Sequence, residues 1–184
     1  MLVSGRTSRK QASFSLKNRL YRLIWKTVYL LLIEYTPVFM RGWRVNLYKL
    51  FGAKITGRVN IYPKAIIWSP SNLVMKEGSC IANGAIIYNQ DLITLGKRAL
   101  ISQGAHICTG THDYNSINFD LKTKPIEIKD DAWICAEAFI CPGVKVGEGA
   151  VLGARAFTHQ DLDSWCVYTG NPARKIRKRI RSIK

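Results

Sequence analysis

Residues 128–157 read IKDDAWICAEAFICPGVKVGEGAVLGARAF. An aliphatic side chain returns every six positions, at Ile128, Ile134, Ile140, Val146 and Leu152, and four residues after each stands a small residue or a valine: Ala132, Ala138, Val144, Ala150 and Ala156. An amphipathic helix repeats its apolar stripe about every 3.6 residues and a half-buried strand alternates with a period of about two. Period six fits neither. It fits short strands wound into coils, with a large aliphatic pointing inward and a small residue near each corner, the pattern of a parallel β-helix whose coils stack about 4.8 Å apart.

Working outward toward the N-terminus, the same pattern recurs with shifts of phase. Ile55, Ile61 and Ile67 form one block with Val59, Ala65 and Ser71 at the small position. Met75, Ile81 and Ile87 form a second with Ser79 and Ala85, and Leu95, Ile101 and Ile107 a third with Ala99, Ala105 and Thr111. The block starts are separated by three hexads and two extra residues, so three hexads make one coil of triangular section and the extra pair swells a corner. Between the third block and Ile128 the ladder is interrupted by an excursion, residues 113–127, and the residue before it is His112. The expected architecture is an all-β solenoid over 53–170.

A chain of 184 residues fits one domain. The five cysteines, Cys80, Cys108, Cys135, Cys141 and Cys166, show no CxxC or CxxH spacing, which argues against zinc or dithiol chemistry and for a reducing compartment. The apolar run Val28 to Ile33 is too short for a signal-peptide core, and no run reaches the roughly 20 apolar residues of a membrane span, so the expected location is the cytoplasm. The net charge of +16 is unevenly placed. Residues 1–64 carry +12, residues 173–184 carry +7, and residues 65–172 carry −3.

Residues 1–15, polar and basic, read as a mobile tail. Residues 16–52 read as two amphipathic helices. In the first, Leu20, Leu23, Ile24, Thr27, Val28 and Leu31 share a face; the second, from Val38 to Phe51, ends at Gly52, a suitable C-cap. The second helix is expected to cover the open first coil, because an uncapped solenoid exposes strand edges. For the first helix, with Tyr21, Trp25 and Tyr29 among its cations, two readings stand side by side: a cap on the coil, or peripheral contact with an anionic membrane surface. Residues 171–184 read as a short basic helix opened by Asn171 and Pro172. Nucleic acid is not expected as a partner, since the solenoid offers no basic groove to continue this patch.

The candidate chemistry rests on His112. It stands in the run Gly110-Thr111-His112-Asp113 at the one break in the repeat, where the glycine lets backbone approach a ligand and the excursion can wall a pocket. Imidazole, with a pKa near about 6.5, accepts a proton at neutral pH and suits a general base. No metal is expected: only His106, His112 and His159 are available, and none lies between His112 and His159.

These hexads, the Gly110–Asp113 run, Asp131-Ala132-Trp133-Ile134 after the excursion, Pro142-Gly143-Val144 and Gly170-Asn171-Pro172-Ala173-Arg174 together resemble the left-handed β-helix O-acetyltransferases, among them the galactoside and maltose acetyltransferases. The entry Leu50-Phe51-Gly52-Ala53-Lys54-Ile55 and the stretch Ile101-Ser102-Gln103 resemble the members assigned to colanic-acid and capsule biosynthesis. The resemblance implies a left-handed coil and a homotrimer with the coenzyme groove between neighbouring solenoids. It implies acetyl-CoA as co-substrate, a sugar or glycan-precursor acceptor, and direct transfer with His112 as the base. It places Trp133, Ala136 and Ala154 beside the pantetheine arm, counts His159 among the coenzyme contacts, and puts Arg174 and Arg177 near the CoA phosphates, with Asn83 and Asp113 on the acceptor side. Ala136 replaces a frequent serine, His159 stands where threonine or serine is common, and the sugar-binding asparagine of the galactoside enzymes falls on Ala82, beside Asn83. A non-catalytic solenoid, serving as an assembly scaffold or membrane-associated adaptor, is the rival reading; it needs neither His112 nor the arginine pair.

Overall fold

The computed structural model describes residues 14–180. Residues 1–13, which hold nearly all of the expected basic tail, and residues 181–184 lie outside them. The rest is a parallel β-solenoid preceded by two helices, α1 (Leu16–Leu32) and α2 (Arg41–Leu50).

The hexads fold as their spacing requires. Face A stacks Lys54–Ile55, Leu73–Met75, Ile93–Leu95, Ile126–Ile128 and Lys145–Val146. Face B stacks Asn60–Ile61, Cys80–Ile81, Leu100–Ile101, Trp133–Ile134, Val151–Leu152 and Cys166–Thr169. Face C stacks Ile66–Ile67, Ile86–Tyr88, His106–Cys108, Phe139–Ile140 and Phe157–Thr158. Register is one to one between coils: Ile61 pairs with Ile81, Ile81 with Ile101, Ile101 with Ile134, and Ile134 with Leu152. Each of these aliphatics is fully buried. Burying one such side chain contributes about 1.5–3 kcal/mol, so the aligned ladders supply the main stabilisation. The residues at the small positions are mostly buried too, as alanine at most of them and as valine at Val59 and Val144.

The corners demand left-handed backbone, and Gly78, Gly84, Gly104, Gly143 and Gly149 take φ values between +63° and +85° there. At four of the corners the residue is not glycine but charged, and adjacent coils pair these residues by charge. Arg98 (φ 55°) forks onto Asp131 (φ 57°) through two 2.6 Å hydrogen bonds, and Arg155 (φ 57°) meets Glu137 (φ 58°) at 2.6 Å.

The extra residues of the first two coils swell the corner between faces C and A, where Pro70–Asn72 forms a 3-10 turn. The excursion leaves the third coil at that same corner. It returns slightly earlier than expected: Ile126 is already buried and paired with Ile93 on face A.

α2 covers the first coil through Tyr48, Val45 and Leu47, as expected. It also buries Arg44 completely, and the guanidinium clamps the preceding loop to the coil, donating to the carbonyls of Ile61, Pro37 and Val38 at 2.7–2.8 Å and to the Thr36 hydroxyl at 3.1 Å. α1 starts at Ser15, whose hydroxyl accepts from the Asn18 N–H at 3.3 Å. It lies against face C of the first coil through Trp25, whose indole N–H donates to the Ile67 carbonyl at 2.8 Å. No helix among the described residues is long and apolar enough to cross a membrane.

The expected C-terminal helix is not formed. Arg174–Lys178 is a strand, antiparallel to Cys166–Thr169 at the end of face B. An open last coil would leave a row of backbone donors and acceptors unpaired, and satisfying them outweighs the weak amphipathic pattern of this segment, whose Ile176 is exposed in the strand.

Candidate active site

The corner between faces C and A carries a stack of buried polar residues, Ser69, Asn89 and Thr109, one per coil. The Asn89 amide accepts from the Ser69 N–H at 3.0 Å and donates to the carbonyls of Ser69 and Asn72 at 2.6 and 3.0 Å. The Thr109 hydroxyl accepts from the Asp91 N–H at 2.9 Å and lies 3.2 Å from the Tyr88 carbonyl. From this anchored base the excursion rises as a β-hairpin, Gly110–His112 paired antiparallel with Leu121–Thr123. Gly110 packs against Gln90: a Cβ there would lie 2.1 Å from the Gln90 side-chain oxygen, which would have to move aside.

His112 stands on the hairpin, exposed, with Nδ1 2.6 Å from the carbonyl oxygen of Phe119. A carbonyl oxygen only accepts, so Nδ1 carries the proton and Nε2 presents a lone pair. Asp113, expected on the acceptor side, braces the hairpin: it meets Lys122 at 2.7 Å and accepts from the Asn115 N–H at 3.1 Å. The Lys122 hydrogen bond, first, and that N–H hold its carboxyl below the usual carboxylate range.

The residues expected around the coenzyme lie elsewhere in the coil. Trp133 is outward on face B, half-exposed, its indole N–H donating to the Ser102 hydroxyl at 2.9 Å. Along the same outward row follow Val151, Val167 and Arg177, in register. Ala136 and Ala154 occupy the corner between faces B and C on adjacent coils, joined by the hydrogen bond from Arg155 N–H to the Ala136 carbonyl at 2.9 Å. Asn83 lies at that corner two coils before Ala136, where its side-chain oxygen accepts from the Lys64 N–H at 3.2 Å. His159 and Arg174 line one pocket of about 200 Å³ with Phe157, Thr158 and Pro172 at the end of face C. Arg174 and Arg177 are exposed, and neither makes an ion pair among the described residues.

Within one chain these positions therefore form two separate groups. Trp133, Ala136, Ala154 and Arg177 follow face B and its corner with face C, whereas His112 rises from the corner between C and A, and His159 and Arg174 lie at the end of face C. His106, next in the sequence to this region, does not stack on His112. It is held on face C between Tyr88 and Phe139, whose ring lies 4.9 Å away, and burial lowers its pKa. A cleft of about 390 Å³ between α1 and face C, lined by Arg22, Trp25, Tyr29, Glu34 and Trp68, contains none of the expected site residues. Among the described residues no cluster of three or more His, Cys, Asp or Glu is arranged to hold a metal ion.

Sequence reasoning missed the Phe119 carbonyl, since any residue supplies one, and the Ser69–Asn89–Thr109 stack. The recurrence of a small polar residue at spacing 20 was the available signal for the stack.

No family model matches the chain. It is 35% identical over 157 residues, 85% of its own length and 86% of the relative's, to a protein of Escherichia coli K12 assigned by name to colanic acid biosynthesis, the acetyltransferase WcaF. Among solved structures, a maltose O-acetyltransferase from Clostridium difficile superposes with a TM-score of 0.82 at 21% identity, covering 91% of this chain and 90% of that one. A hexapeptide-repeat acetyltransferase from Vibrio cholerae, in complex with acetyl-CoA, gives 0.83 at 20% identity over 92% and 93% of the two chains. The structural likenesses establish the fold, and the relative shared along most of both sequences establishes the kinship: this chain belongs to the hexapeptide-repeat acetyltransferases and is an acyltransferase.

Proposed function

We propose that the protein transfers an acetyl group from acetyl-CoA to a sugar hydroxyl of a surface polysaccharide or its precursor, with His112 as general base. Nε2 takes the hydroxyl proton as the oxygen attacks the thioester carbonyl; the tetrahedral intermediate expels the CoA thiolate, which recovers the proton from the imidazolium. The observation that carries this reading is the 2.6 Å contact between His112 Nδ1 and the Phe119 carbonyl, which holds the ring in the tautomer a base requires. A scaffold has no use for such a contact. Exposed Arg174 and Arg177 suit CoA phosphates, because guanidinium forks match phosphate oxygens.

The separation of the two residue groups favours a site completed by a second copy. The hairpin tip offers Tyr114, Ile117 and Phe119 to solvent, with Ile117 96% exposed. Outward rows of faces B and C are largely apolar, such as Leu100, Trp133 and Val151 on B and Ile86, Phe139 and Phe157 on C, whereas face A carries Lys54, Thr94, Glu127 and Lys145. Two unlike apolar faces and one polar face fit a closed ring of copies, and with the family resemblance we read it as a homotrimer in the cytoplasm. Asn83 and Asp113 remain on the acceptor side in this reading.

The test is O-acetyl analysis of surface polysaccharide by mass spectrometry in a strain lacking the protein, complemented with parent or His112→Asn. Acetylation restored by the parent and not by the variant is expected; equal restoration by both overturns the role of His112.

A further inference from the structure

α1 presents its apolar stripe to the wrong side for a cap. The residues against the solenoid are Asn18, Tyr21, Arg22, Trp25, Val28 and Tyr29, half-buried or buried. Leu16, Leu20, Leu23, Ile24 and Leu31 point outward, with Leu16 78% and Leu31 76% exposed. At about 100° per residue these side chains fall on one stripe opposite Trp25, with Lys17 along one edge and Arg19 and Lys26 along the other. The capping reading of this face is thereby set aside, because Trp25 and α2 already cover the coil.

We infer that the outward face of α1 docks on an anionic phospholipid bilayer. An apolar stripe bordered on both sides by cations is the arrangement of a helix lying in the membrane interface, leucines among the acyl chains and ammonium or guanidinium groups at the headgroups. The charge around it matches that surface: the first 33 residues contain no acid, and Glu34 is the only one before residue 65. Exposed Phe39 and Trp43 follow α1, and the Trp43 indole N–H donates to the Leu32 carbonyl at 2.9 Å, which sets an exposed aromatic ring at the end of the helix. A second copy is a poor occupant, since symmetric pairing through the stripe would set Lys17, Arg19 and Lys26 of one chain against their equivalents. The helix is fixed to the solenoid on its other side, where the Tyr21 hydroxyl accepts from the Ser71 N–H at 3.3 Å. Ser71 lies at the corner from which the His112 hairpin rises two coils further on, about 10 Å along the axis. This inference does not depend on the acyltransfer reading, and its test does not use activity.

The test is co-sedimentation of the full chain with vesicles of phosphatidylcholine containing phosphatidylglycerol and with pure phosphatidylcholine, at low and high salt. Binding to the anionic vesicles alone, weakened by salt, is expected. The triple variant Leu20→Gln, Leu23→Gln, Leu31→Gln keeps every charge, including those of both termini, and should lose affinity by about tenfold or more with unchanged circular dichroism and oligomeric state. Lys17→Glu with Arg19→Glu and Lys26→Glu should lose it as well, and provides the test if the leucine variant fails to fold. Equal binding of parent and either folded variant, no preference for anionic vesicles, or a leucine variant that changes oligomeric state while still binding vesicles overturns the inference.

Discussion

His112 Nδ1 and the Phe119 carbonyl oxygen are 2.6 Å apart across the hairpin, and Phe119 reaches that position with a left-handed φ of 49°. The turn thus spends an unfavourable backbone conformation on aiming one carbonyl at one ring nitrogen. General-base catalysis is worth about 10² to 10⁴ in rate. His112→Ala is expected to lower kcat by about that factor and leave acetyl-CoA binding nearly unchanged, as read by thiol release and by calorimetry. Stability should change little, because the ring lies outside the aliphatic ladders.

Arg174 and Arg177 stand far along the solenoid from the hairpin and touch no acid among the described residues. Cations that hold phosphates remote from the thioester contribute binding shared by ground and transition states. The double substitution Arg174→Ala, Arg177→Ala should raise KM for acetyl-CoA by about tenfold or more with kcat kept within a few-fold. An unchanged KM would move the phosphate site elsewhere.

Asn89 reads through position alone. It touches no candidate ligand, yet its amide satisfies three backbone groups of the corner that leads to Thr109 and the hairpin. Asn89→Leu would leave those groups buried and unpaired, at about 1–3 kcal/mol for each. Thermal denaturation should show a loss of several degrees, and on the proposed mechanism kcat should fall more than KM rises, because a displaced hairpin misplaces His112 while the proposed coenzyme contacts lie on other strands.

The coil was legible in the sequence because its signal is repeated: Ile134 is one of many residues obeying the same spacing, and the ladder pairs each with its counterpart one coil away. His112 was legible because it marks the break in that spacing. Single events were harder to read. Arg44 has the sequence look of a solvated helix residue, but packing carries it to complete burial among carbonyls, with no carboxylate partner among the described residues, and burial lowers its pKa. Arg174–Lys178 has a helical look, but the open edge of the last coil recruits it as a strand. The outward stripe of α1 was visible as amphipathy, whereas which side met the solenoid depended on Trp25 finding the Ile67 carbonyl.

Arg44 offers the strongest stability test outside the ladders. Arg44→Met keeps the length and apolar stem of the side chain and removes every donor, leaving the carbonyls of Ile61, Pro37 and Val38 without that partner in a buried place. Hydrogen bonds to a charged donor contribute about 1.5–3 kcal/mol each, so a loss on the order of 3 kcal/mol or more is expected in denaturant titration. A variant within about 1 kcal/mol of the parent would show that the carbonyls find other partners.

His106 gives the protein a specific acid sensitivity. Its ring is packed on face C between Tyr88 and Phe139, with Nε2 buried and unpartnered, and desolvation holds its pKa below the usual imidazole value. The native state therefore binds this proton less readily than the unfolded chain, and stability rises with pH wherever the unfolded state holds more protons. As pH falls through about 6.5, the unfolded histidine protonates while native His106 stays neutral, and stability drops; the loss levels off once pH is below the folded value. Asp113 and Asp163, whose carboxyl pKa values are lowered by Lys122 and Lys175, act only further down, losing their contribution as pH falls below the usual carboxylate range. The interval between about 6.5 and that range is thus where His106 can be isolated. His106→Phe, which continues the ring ladder with Phe139 and Phe157, should flatten the fall of Tm in that interval and leave the steeper loss at lower pH in place. Equal slopes for parent and variant, measured by scanning calorimetry across the interval, would show that His106 is protonated in the native protein and that face C opens to water around it.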